Sequence, residues 1–187
     1  MSMNDLIVFA MREEAPNLFD KYRNIFCIGV GKVNAAINTQ MLFDLYHPKR
    51  IINLGTAGSI TLQPDIYRVN RLIQHDVNLQ AVGLAPGYHF HDTLSEIRLP
   101  GHGMICASGD MFVTEAHKLR VHCDIVEMEG YSVAKVCMLA GVDCEIWKYI
   151  SDKADENANT TWQEQVAAGE DLYLKVLQDL QATLEEK

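Results

Sequence analysis

Arg50-Ile51-Ile52-Asn53-Leu54 runs directly into Gly55-Thr56-Ala57-Gly58-Ser59, and this stretch decides the fold. The first half is continuously apolar rather than alternating, so both faces of the strand need cover, as in a parallel sheet packed between helices. The second half is a glycine-rich turn that lets a ligand approach the backbone. Three other runs share the continuous character: Leu6–Ala10, Ile25–Val30 and Glu145–Ile150. Two shorter candidates, Met104–Ala107 and Asp124–Val126, end in Ser108-Gly109-Asp110 and Glu127-Met128-Glu129. Helical patterns lie between them. Val33, Ile37, Met41 and Leu45 recur at four-residue spacing until His47-Pro48 closes the segment. Val133, Val136, Cys137 and Ala140 form a second stripe, ended by Gly141. Trp162, Val166, Tyr173, Val176, Leu177, Leu180 and Leu184 predict one long C-terminal amphipathic helix on the outside of the sheet. The alternation is that of an α/β protein.

Gln74 to Gly103 breaks this rhythm, with Pro86, Pro100, His75, His89, His91 and His102. It reads as a strand-and-loop region crossing the mouth of the sheet, its histidines on the surface or in a substrate lid. His89-Phe90-His91 is an HxH, but no carboxylate set of matching spacing accompanies it, so no metal and no cofactor are expected. No linker, repeat or low-complexity tract divides residues 1–187, which predicts a single domain.

A hydrophobic content of 48% predicts a packed globule. Lys and Arg number 16 against 25 Asp and Glu, a net charge of −9 with no basic run, which argues against nucleic acid as a partner and for a small ligand. Cys27, Cys106, Cys123, Cys137 and Cys144 show no CxxC spacing and read as thiols of a reducing cytoplasm. Leu6 to Met11 is too short for the core of a signal peptide, and no stretch approaches the ~18–20 apolar residues that span a bilayer. No membrane association is expected.

In open α/β sheets ligands bind beyond the carboxyl ends of the strands. The residues following the proposed strands therefore belong to one constellation, and several are acids: Met11-Arg12-Glu13-Glu14, Glu127-Met128-Glu129 and Ser151-Asp152. Taken singly, each has an ordinary structural reading. Glu14 suits a helix N-terminus, Asp152 an N-cap, Phe112 a core position, and Glu127 and Glu129 supply two acids to one helix start, where one suffices.

Five segments in order change the balance: Ala10-Met11-Arg12-Glu13-Glu14, Asn53-Leu54-Gly55-Thr56-Ala57-Gly58, Ser108-Gly109-Asp110-Met111-Phe112, Val126-Glu127-Met128-Glu129-Gly130 and Ile150-Ser151-Asp152-Lys153-Ala154-Asp155. Together they resemble the purine nucleoside phosphorylase and nucleosidase superfamily, most nearly the methylthioadenosine/S-adenosylhomocysteine nucleosidases. The resemblance implies a three-layer fold, a mixed central sheet flanked by helices, acting as a homodimer on a purine nucleoside. It implies that Asp152 is the acid that protonates the departing base and that Glu14 activates the attacking water. Glu129, selected over Glu127, would hold the ribose hydroxyls with Met128 beneath the sugar. Phe112 would stack on the purine, with the Val113 backbone at the base edge, and Thr56, Ala57 and Gly58 would line the ribose. The residue types suit the chemistry: carboxylates stabilise an oxocarbenium-like sugar, and adenine leaves poorly unless protonated. Two alternatives stand beside hydrolysis: phosphorolysis, which needs a cationic cradle where this chain has Met11-Arg12-Glu13-Glu14, and a nucleoside-binding homologue that keeps the fold without turnover. Gly130-Tyr131, in place of small residues, is expected to crowd the sugar pocket.

Overall fold

The structure, a computed structural model, describes residues 4–90 and 95–187. Along the described chain run β1 (Asp5–Phe9), α1 (Pro16–Lys21), β2 (Ile25–Cys27), α2 (Lys32–Tyr46), β3 (Arg50–Gly58), β4 (Ile66–Gln74), β5 (Ile97–Arg98), β6 (Met104–Ser108), β7 (Ile125–Glu127), α3 (Gly130–Ala140), β8 (Asp143–Asp152), α4 (Ala158–Gln165) and α5 (Glu170–Asp179). They form the expected α/β architecture, one mixed sheet flanked by helices. β2, β1, β3 and β8 lie parallel in that order. β8 pairs antiparallel with β4, β4 parallel with β6, and β6 parallel with β7. Gly58, the last residue of β3, pairs with Val126 of β7, so β3, β8, β4, β6 and β7 close into a ring.

The continuous apolar runs have the predicted cause. Ile7 and Phe9 point to one side of the sheet, where Ile52, Leu54 and Tyr149 meet Leu18 and Phe19 of α1 and Tyr173 and Leu177 of α5. Leu6 and Val8 point to the other, against Ile51, Ala35 of α2, and Val133 and Cys137 of α3. All of β1 is buried, and each such aliphatic or aromatic side chain contributes about 1.5–3 kcal/mol of burial energy. A third cluster, Val69, Leu72, Cys106, Ile125, Ile146 and Ile150, fills the ring and is covered by Tyr131 and Ala134 of α3.

Several expectations are corrected. Thr56-Ala57-Gly58 is not a turn: β3 continues through Gly58, because β8 supplies a parallel partner for every residue from Arg50, with one irregularity between Ala57 and Gly58. The C-terminal stripe is divided between α4 and α5, with Val166–Gly169 as a turn. The second helix restarts where the Glu170 carboxylate accepts hydrogen bonds from the Leu18 N–H and the Asn17 side chain, both 2.7 Å, tying α5 to α1. The Val33, Ile37, Met41 and Leu45 stripe is helical and ends at Tyr46, with His47 in the left-handed region before Pro48. It faces solvent, however: the four side chains are 55–66% exposed. Tyr131 is buried among the residues filling the ring, so it does not crowd the pocket described below. The described part of Gln74–Gly103 contributes no lining residue to that pocket, though Gln74 and Asp76 accept from the Lys32 ammonium and Asp76 accepts from the Asp110 N–H beside the strand ends. His75 is buried rather than on the surface, and His91 lies outside the described residues. Among the described residues no helix is long and apolar enough to cross a membrane.

Candidate active site

The carboxyl ends of β1, β3, β7 and β8 converge on one open-mouthed hollow lined by both apolar and acidic side chains. Every candidate residue from the sequence lines it: Glu14, Thr56, Ala57, Gly58, Phe112, Val113, Glu127, Met128, Glu129 and Asp152. Glu14 reaches the hollow from the single 3-10 turn after β1. Asp152 ends β8, Glu129 sits between β7 and α3, and Phe112 and Val113 follow β6. Glu14, Glu129 and Asp152 are each less than 10% exposed.

Close backbone approach is what seats two of these acids. A Cβ on Gly55 would stand 2.9 Å from Glu14 Oε1, and one on Gly58 2.7 Å from Asp152 Oδ1. Only glycine leaves room for both carboxylates at the end of β3.

The three acids are held differently. Glu14 Oε1 accepts from the Thr56 N–H at 2.7 Å and the Thr56 hydroxyl at 3.0 Å, and Oε2 accepts from the Met11 N–H at 3.2 Å. Burial nevertheless raises its pKa above the usual carboxylate value, against the pull of those bonds and of Lys148. Asp152 Oδ1 accepts from the Ala154 N–H and Oδ2 from the Ser151 hydroxyl, both at 2.9 Å. Burial raises its pKa too, so it retains a proton further toward neutrality than a solvated aspartate. Glu129 Oε1 accepts from the Gly31 N–H at 2.8 Å, at the N-terminus of α2. Burial, and then the charge of Glu127, push its carboxyl up to about 8.

Glu127 forms part of the wall, but its oxygens are engaged within the protein. It accepts from Ser108 Oγ, from the Glu129 and Gly130 N–H groups at 3.0 and 2.7 Å, and from Lys148 Nζ at 2.9 Å. Lys148 is 2% exposed and points into the ring from β8. Burial alone would lower its pKa, but the charges of Glu127, Glu129 and Glu14 hold it raised, so it stays cationic among the acids. Burial opposes the charge on Glu127 as well, and Lys148 and Ser108 outweigh it. Sequence reasoning missed this lysine. The signal was present in Trp147-Lys148-Tyr149, because a lysine inside a buried strand requires a counter-charge.

Trp162 was missed as well. It belongs to the C-terminal stripe in the sequence, but in the structure it lines the hollow, edge-on to Phe112 with ring centroids 6.1 Å apart. Among the described residues no arginine or lysine lines the hollow. Arg12, the one cation of the Met11–Glu14 segment, turns outward to pair with Asp20 over the Phe19 ring.

A ring-closed mixed sheet with buried carboxylates at its strand ends and an aromatic wall defines an α/β protein built to hold a small ligand, and comparisons say which family it belongs to. A profile of the Phosphorylase superfamily matches residues 17–184. The 5′-methylthioadenosine/S-adenosylhomocysteine nucleosidase (MTAN) of Buchnera aphidicola subsp. Acyrthosiphon pisum is 32% identical over 173 residues, covering 78% of this chain and 75% of the relative. A Helicobacter pylori MTAN mutant with 5′-methylthioadenosine in the active site superposes with a TM-score of 0.84 at 26% identity, over 96% of this chain and 99% of that one. The native futalosine hydrolase of the same organism gives 0.82 at 27% identity, over 94% and 97%. The chain belongs to the Phosphorylase superfamily, within its methylthioadenosine/S-adenosylhomocysteine nucleosidase family.

Proposed function

We propose that the protein hydrolyses the N-glycosidic bond of an adenine nucleoside of the methylthioadenosine/S-adenosylhomocysteine type, releasing adenine. One observation carries this reading: four buried acids, Glu14, Glu127, Glu129 and Asp152, line one hollow, and among the described residues no arginine or lysine lines it. In the reaction the purine lies along Phe112, with its edge at the Val113 backbone. Asp152, whose pKa burial raises, delivers a proton to the base as the glycosidic bond breaks. The sugar becomes oxocarbenium-like, a charge the surrounding carboxylates stabilise. Glu14, held by Thr56 and Met11, aligns and deprotonates the water that attacks the anomeric carbon. Glu129 holds the ribose hydroxyls above Met128, with Thr56, Ala57 and Gly58 along the sugar. Glu127 braces this wall through Lys148 rather than by its own contact with substrate.

Phosphorolysis is disfavoured by the same geometry. A phosphate dianion entering beside Glu14 would meet like charge and no arginine, since Arg12 faces away. The test is to incubate the protein with methylthioadenosine and follow free adenine with and without phosphate. Release independent of phosphate is expected, and strict phosphate dependence with ribose 1-phosphate formation would refute hydrolysis.

The outward apolar stripe of α2, Val33, Ile37, Met41 and Leu45, supports a homodimer, since four large apolar side chains in a row are costly to leave in water. Five free thiols fit a cytoplasmic protein acting as one domain.

A further inference from the structure

Trp162 contributes more than a wall. Its indole Nε1–H donates to Thr56 Oγ1 at 3.1 Å, across 106 residues of sequence. The Thr56 hydroxyl stands 3.0 Å from Glu14 Oε1, the oxygen that also accepts the Thr56 N–H. An indole can only donate, and a hydroxyl has a single proton. With one of its lone pairs occupied by Trp162, the hydroxyl is turned to direct that proton at Glu14. The chain runs one way, indole to hydroxyl to carboxylate, and each bond polarises the next.

We propose that Trp162 is a positioning residue for hydrolysis: from α4 it closes the purine wall against Phe112 and, through Thr56, orients Glu14 as an ionised hydrogen-bond acceptor aligned for the attacking water. This rests on the reading of Glu14 as the group that activates water. Without the indole donor, the Thr56 oxygen is free to accept a proton from a neutral Glu14, so the inactive protonated form is better tolerated. Burial already favours that form. The other titratable groups facing Glu14 are Lys148 from β8, Glu129 before α3, Tyr173 from α5 and Cys27 from β2. Lys148 supports the anion and Glu129 opposes it. None of them contacts the indole N–H, whose acceptor is Thr56, so a change confined to Trp162 acts through Thr56.

Trp162→Phe keeps a ring against Phe112 and removes only the donor. Carbon-13 NMR of the glutamate carboxyls, with Glu14 assigned by its absence in Glu14→Gln, follows the titration directly in the intact protein. The Glu14 titration is expected to move up by roughly half to one unit in Trp162→Phe. The acid limb of the kcat–pH profile on methylthioadenosine is expected to move with it, about three- to tenfold in kcat below the midpoint, with KM within about twofold. In a Thr56→Val background Trp162→Phe should produce no further shift. An unchanged Glu14 titration, or equal shifts from Trp162→Phe with and without the Thr56 hydroxyl, overturns the proposal. If the unmodified protein releases no adenine at all, the nucleosidase reading falls while the NMR arm still decides the Trp162–Thr56–Glu14 chain.

Discussion

Replacing Lys148 by Met removes the one positive charge buried among Glu14, Glu127 and Glu129. The ammonium lies 2.9 Å from Glu127 Oε2, and both side chains are 2% exposed. At that separation and an effective dielectric near 20, the attraction is about 6 kcal/mol. Desolvation of both ions offsets part of it, but deleting one partner leaves a buried, uncompensated carboxylate. Cuts of that kind cost about 3–5 kcal/mol. For a chain of this size the loss corresponds to a fall of roughly 6–20 °C in the unfolding midpoint. The assay is urea and thermal unfolding of Lys148→Met, Lys148→Arg, and Lys148→Met combined with Glu127→Gln, each at pH 5 and pH 8. The arginine variant should stay near wild type. The single methionine variant should be hurt most at pH 8, because at pH 5 Glu127 escapes its lost partner by taking up a proton. The double variant should recover at least half of the loss, since Gln keeps an oxygen for the Gly130 N–H. A methionine variant within about 1 kcal/mol of wild type at pH 8, or a double variant that recovers nothing, would refute the paired-charge reasoning.

Three further outcomes are expected. Asp152→Asn should lower adenine release by ~10²–10⁴ with unfolding unchanged, and full activity in that variant would remove Asp152 from its role. Glu129 gains a raised pKa on folding, from 4.5 to about 8, so its stability contribution is fully present below 4.5 and is lost as pH climbs through 8. Glu129→Gln should therefore gain on wild type by something on the order of 4 kcal/mol between pH 5 and pH 9, and parallel stability–pH curves would contradict this. Ile37→Asp with Met41→Asp should convert a dimer to monomers by analytical ultracentrifugation, and a wild-type protein already monomeric at micromolar concentration would dismiss the α2 interface.

The sequence made the two-sided strands plain, because Leu6 to Phe9 and Ile51 to Leu54 are apolar at consecutive positions and both faces are covered. It also made the acids plain, since each follows such a run. β4 was not legible. Arg68, Asn70 and Arg71 interrupt Ile66–Gln74, so neither a continuous run nor an alternation emerges, although Arg68 and Arg71 are paired with Glu145 and Glu96. The period of a helix stripe says which residues share a face, not what that face meets. The α2 stripe met solvent, and Trp162, read as packing, met the hollow. The resemblance already selected Glu129 over Glu127, but what occupies Glu127, the buried ammonium of Lys148, was not legible in the sequence.

The pairing of Gly58 with Val126 shuts the ring of strands directly beneath the carboxylates. Sliding any one strand by a residue would turn every side chain on it to the opposite face, and a closed circuit resists such a slip at each of its seams. Glu127, Asp152 and the Gly58 backbone therefore hold their mutual spacing as a single hoop, set when the chain folds and not rebuilt in each catalytic cycle. Loops outside the hoop can be shortened or lengthened without detuning it, which makes those outer connections the natural places for a redesign to begin.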